Sequence, residues 1–142
     1  MISVATFERH ELEEFVRAWD AAFRRGEYEE MAAIYDDNAV VVACDTSAFI
    51  GRPAIREFWR QACAGAQRRG IRRIAHTDQY DSCGDLAYLQ GTVSLKSNLG
   101  ETAVVWFVTL WKRYADGRWR IVADTSTLAS TSMTTLRPTG SS

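Results

Sequence analysis

The chain has 142 residues, with 17 Lys and Arg against 18 Asp and Glu, so its formal net charge is −1. That length closes one hydrophobic core and leaves no room for a second domain. The even charge balance speaks against partners selected by electrostatics alone, nucleic acid above all. Aromatic residues make up 11% of the chain, which in a small domain points either to a dense core or to a lined cavity.

From Thr6 to Arg25 the pattern predicts an amphipathic helix. Leu12, Phe15, Val16, Trp19 and Phe23 recur at helical spacing, Arg24 and Arg25 suit its C-terminal dipole, and Gly26 follows as a cap. A short second helix is expected from Glu27 to Tyr35, stopped by Asp36-Asp37-Asn38, and Ala39 to Ala43 is a β-branched run of strand length. After a loop, Gly51-Arg52-Pro53 opens a third helix, because proline costs nothing in a first turn. Its apolar stripe is Ile55, Phe58, Trp59 and Ala62, and it fades between Gly65 and Gly70. Four strands follow, Arg72 to Asp81, Leu86 to Lys96, Ala103 to Tyr114 and Trp119 to Leu128, separated by short turn signals such as Asp116-Gly117. Helices first and a meander afterwards predict an α+β fold rather than a βαβ one. The domain is expected to span 1–129, with a flexible Ser/Thr-rich tail over 130–142.

No apolar run approaches the ~20 residues that cross a bilayer. The first residues carry no basic and apolar leader pattern, so a cytoplasmic location is the expectation. Cys44, Cys63 and Cys83 are odd in number and lack CxxC spacing, which predicts reduced thiols without a metal site. Neither a phosphate-binding glycine loop nor a Ser/His/Asp order is present. Arg68, Arg69, Arg72 and Arg73 read as a solvated helix-to-strand turn.

Four stretches, Ala18 to Gly26, Ile34 to Val41, Ile50 to Ile55 and Trp111 to Val122, resemble the nuclear transport factor 2-like superfamily, especially its SnoaL-like and ketosteroid-isomerase-like branch. The resemblance covers roughly residues 8–128. It implies a cone-shaped barrel, a curved antiparallel sheet wrapped around three helices of the N-terminal half, an apolar pocket at the wide end, and a homodimer. It does not fix a reaction, because members include isomerases, dehydratases, cyclases and non-catalytic binding or dimerisation modules. The steroid isomerase's tyrosine, base and second aspartate fall on Trp19, Ala43 and, counting back from Arg113-Tyr114, near Leu110. An alanine cannot take a proton, so that mechanism is rejected. Asp45, two residues on, replaces the base only if its loop bulges.

The register implied by the resemblance turns Leu86, Tyr88, Gln90 and Thr92, then Trp106, Val108 and Leu110, then Val122, Asp124 and Ser126 toward the pocket. Asp124 stands out, because a carboxylate in an apolar strand is costly unless hydrogen-bonded or functional. It is the candidate acid/base group, with His76 as its neutral-pH partner. Trp19, Tyr35, Phe58, Trp59, Tyr88, Gln90, Trp106 and Ser126 are the candidate ligand-binding set. Packing alone accounts equally well for the aromatics on helical stripes. Asp20, one residue past Trp19, is expected on a solvated face. Phe107 and Trp111 are expected on the outer sheet face, against a second copy. The resulting expectation is a pocket for a small apolar, cyclic or polyketide-like molecule, with cofactor-independent acid/base chemistry. The alternative is a binding or dimerisation module.

Overall fold

In the structure, a computed structural model, residues 2–44 and 47–132 are described, with side chains for 9–44 and 47–129. The apolar stripe of the first segment becomes α1, Ile2–Arg25, which ends where Gly26 takes a positive φ of 74° and Glu27 N donates back to Ala22 O at 2.9 Å. This is the left-handed cap that glycine provides. A short α2, Tyr28–Ala33, follows.

The first strand, β1, runs Tyr35–Val42 and so begins four residues earlier than the β-branched run suggested. Asp36, Asp37 and Asn38 lie inside this strand instead of stopping a helix. They fall where its pairing slips, between Tyr35 and Val40, so local turn chemistry is accommodated as a bulge. Arg52 secures the bulge. Its Nη2 donates to the Tyr35 carbonyl at 2.6 Å, and its Nη1 lies 2.8 Å from an Asp37 carboxylate oxygen. A three-residue strand, β2, Ala48–Ile50, interrupts the expected loop and pairs antiparallel with β1.

Helix α3, Arg52–Arg69, starts with Pro53 in its first turn and ends at Gly70. The meander then comprises β3 Arg72–Cys83, β4 Leu86–Lys96, β5 Thr102–Arg113 and β6 Trp119–Ser132. The last strand extends three residues into the expected tail. The remainder of that tail, 133–142, and Asp45 lie outside the described residues.

The strands form one sheet in the order β2-β1-β6-β5-β4-β3, antiparallel except where β6 joins β1 in parallel. The fold is α+β and cone-shaped, its curved sheet unclosed, with β2 and β3 as the free edges. Irregular pairing bends it at Thr77/Gln79 in β3 and at Leu110/Trp111 in β5. At the first bend Gly91 of β4 packs so closely on His76 that an added Cβ would fall on its carbonyl oxygen.

Alternation along β4 and β5 decides what faces the helices. Leu89, Val93, Val105, Phe107 and Trp111 are buried on the concave side. Trp106, Val108 and Leu110 are exposed on the convex side, at 46%, 40% and 40%. This corrects the expected register by one residue: Phe107 and Trp111 point inward and cannot form the outer face, which is built from their neighbours. Among the described residues no helix is long and apolar enough to cross a membrane.

Candidate active site

Between α1, α3 and the concave face of the sheet lies a cavity of about 530 Å³. Helix α1 contributes Phe15, Val16, Trp19 and Phe23, the stripe visible in the sequence. Helix α3 contributes Phe58 and Trp59, then Ala62, Gly65 and Ala66, whose small size keeps the space open. The aromatics form a braced wall. Trp59 takes Trp19 edge-on at 4.6 Å between ring centroids and Phe58 at 4.8 Å, and edge-to-face pairs of this kind add to plain burial.

Polar groups are few. Asp124 enters from β6, between Val41 of β1 and Thr109 of β5. Its inward aim depends on the irregularity at Leu110/Trp111. There the β6 partners step from Ala123 to Ile121, so Val122 is skipped and Ile121, Asp124 and Ser126 all face the cavity. Tyr35, fully buried beneath the wall, donates its hydroxyl to Asp124 Oδ2 at 2.6 Å, and Trp59 Nε1 donates to the Tyr35 hydroxyl at 3.3 Å. Burial raises the Asp124 pKa above the ordinary carboxylate value, against the opposing pull of the Tyr35 hydrogen bond and the Arg73 charge. Desolvation, then the neighbouring Asp124, holds Tyr35 well above its usual value, so the phenol stays a donor. The result is a carboxyl group with raised proton affinity in an apolar chamber, the property that acid/base catalysis requires.

A second polar cluster is built from α1 and β3. Asp20, expected in solvent, is 8% exposed. It accepts the backbone N–H of Ala75 on Oδ2 at 3.0 Å and pairs closely with Arg73 Nη1 through Oδ1. Arg73 lines the cavity, and its guanidinium carbon lies 4.0 Å from the centroid of the Trp19 ring. Burial lowers its pKa to about 9. Both residues correct the sequence reading. Asp20 is four residues after Val16 and eight after Leu12, which puts it on the buried stripe. Arg73 and Ala75 share the concave alternation of β3, whereas Arg68, Arg69 and Arg72 remain exposed. Helical and strand spacing carried this signal, and the density of charge around it hid it.

The candidates thus divide. Trp19, Phe58, Trp59, Asp124 and Ser126 line the chamber, with Tyr35 directly behind Asp124. Tyr88, Gln90 and Trp106 lie on the convex face, because β4 and β5 have the opposite parity to that expected. His76 lies there too, its side chain 76% exposed and 3.4 Å from Asp78, so it does not reach Asp124. Trp19 and Ala43, on which the resemblance places the steroid isomerase's tyrosine and base, both line the cavity. Leu110 points outward, and its inward neighbour Thr109 accepts from Trp111 Nε1 at 2.8 Å. Among the described residues no group of His, Cys, Asp and Glu could hold a metal ion.

Comparison with known proteins gives the same architecture. Residues 12–129 match the SnoaL-like domain. Among curated proteins none matches in sequence. Solved structures similar to the chain include a domain of unknown function with a cystatin-like fold from Nostoc punctiforme, 21% identical at TM-score 0.76 over 86% of this chain and 77% of that one. A nuclear transport factor 2-like protein of unknown function from Pseudomonas putida is 18% identical at TM-score 0.74, covering 94% of each chain. A ketosteroid isomerase-like protein from Erwinia carotovora is 17% identical at TM-score 0.67, over 83% of this chain and 93% of that one. At such identities the likeness is one of fold.

Proposed function

The chain belongs to the SnoaL-like domain family within the nuclear transport factor 2-like superfamily, and from that premise we propose that its cavity binds a small, largely apolar cyclic or polyketide-like molecule and that Asp124 exchanges a proton with it. The observation that carries this reading is the carboxyl group of Asp124, held by Tyr35 in the wall of an apolar chamber with its proton affinity raised. As base it takes a proton from a carbon beside a carbonyl, the bonding pair moving onto the carbonyl oxygen. Returning the proton to another position completes an isomerisation, and attack of the carbanion on an internal carbonyl, with the proton passed from Asp124 to the resulting alkoxide, completes a cyclisation. No cofactor is needed for either.

Deuterium exchange tests this. The full chain in heavy water should speed exchange at the activated carbon of a bicyclic ketone such as β-tetralone, and Asp124→Asn should reduce that acceleration about a hundredfold or more. Equal exchange by both proteins would remove Asp124 from the role. The specific observation favouring a binding module is the absence of a carboxylate at Ala43 and of His76 from the chamber; that reading keeps ligand affinity without exchange.

The convex face bears on assembly. Trp106, Val108 and Leu110 alternate along β5 beside Leu86 and Tyr88 of β4, giving an exposed apolar patch in the middle of the sheet. A second copy of the chain is the occupant we propose, because one twofold contact covers both patches at once.

A further inference from the structure

The Arg73 cluster has a property that the proton-exchange reading does not use. Asp20 engages Nη1 of the guanidinium, and Asp20 is itself tied to the β3 backbone through Ala75 N, so the pair is anchored at one end. Among the described residues no acceptor meets Nε or Nη2 of Arg73, although its side chain is only 11% exposed and lines the cavity. Its guanidinium stacks on the ring of Trp19, which also lines the cavity. The free edge of Arg73 is therefore a charged donor on the cavity wall that a molecule in the cavity can satisfy.

We infer that the chamber takes a ligand bearing a single carboxylate on an apolar cyclic body, with that carboxylate seated on the free edge of Arg73. The planar fork of a guanidinium matches the two oxygens of a carboxylate. Arg69 also lines the cavity, but its side chain is exposed and pairs with Glu101 at 3.5 Å, which leaves Arg73 as the buried cation, and one cation already half engaged suits a monoanion rather than a phosphate dianion. The apolar body lies along the aromatic wall toward Asp124. This assignment rests on the chamber being a ligand site and names the chemical class of its occupant; it does not depend on whether Asp124 turns the ligand over.

The experiment is a pair of calorimetric titrations of the full chain with naphthoate and with its neutral methyl ketone analogue, acetylnaphthalene. The wild type should bind the carboxylate at least about tenfold tighter, as expected when a charge-assisted, two-pronged hydrogen bond replaces a neutral contact. In the double variant Asp20→Asn with Arg73→Gln, which removes the pair without stranding either charge, the preference should vanish while ketone affinity holds. Should that variant fail to fold, Arg73→Lys keeps the charge and loses the fork, and the preference should fall to about threefold. Equal or tighter binding of the ketone by the wild type would overturn the carboxylate assignment and leave the chamber as a ligand site. A preference that persists without Arg73 overturns it as well. Binding of neither probe would overturn the ligand site itself.

Discussion

Asp124 couples the site to stability through its protonation. Below the ordinary carboxylate value of 3.8 both folded and unfolded chains hold the proton. As pH rises the unfolded chain ionises first, because burial raises the folded value. The native state therefore loses stability with rising pH until the folded carboxyl ionises too. Asp124→Asn, which can still accept from Tyr35, should abolish this descending limb, so that urea titrations show the variant gaining on the wild type as pH rises through that window. A variant with an unchanged slope would show that Asp124 is not buried as its surroundings indicate. Asp124 was legible in the sequence because one charge in an apolar strand has few explanations. Asp20 and Arg73 were not, because each sits among other charged residues. What singles them out is a partner 53 residues away in the chain.

At the scale of elements, α3 sets the size of the chamber. Gly65 lies in its interior and faces the cavity, where an added Cβ would meet nothing nearer than Arg68 Nη2 at 3.7 Å. Glycine lowers helix stability without filling space there. Gly65→Ala should raise stability by about 0.5–1 kcal/mol in chemical denaturation. Gly65→Phe should instead fill the chamber and suppress acetylnaphthalene binding while the helix persists. If Gly65→Phe bound the probe normally, the ligand would not occupy the α3 side. The elements themselves were legible because Gly26, Pro53 and Asp116-Gly117 mark their ends by backbone chemistry. Strand parity was less so. On β4 it was legible, since only one set of alternate residues, Leu89, Val93 and Leu95, is consistently apolar and it faces inward; the register implied by the resemblance ran against that pattern. On β5 both sets are apolar, so hydropathy does not choose between them, and the irregularity at Leu110/Trp111 that returns Asp124 to the concave face has no glycine or proline to announce it.

For the whole molecule, the two apolar faces of β5 serve different surfaces, one the chamber and one the convex patch. Trp106→Glu should weaken the proposed self-association by about thirtyfold or more in sedimentation equilibrium, the effect of removing a large aromatic from the centre of an interface. A wild-type chain that stays monomeric at high concentration would discard the second copy as the occupant. The order of the sheet also bears on how the molecule is made. Strands β1 and β2 come early in the chain, β3 to β5 later, and β6 alone joins the two groups while carrying Asp124. During synthesis, a nascent chain that has not yet released β6 holds two separate pieces of sheet and lacks the acid that Tyr35 waits to bind. Assembly of the sheet and completion of the candidate site are therefore a single late event, and a chain stalled before it exposes the apolar chamber to whatever surface is nearest.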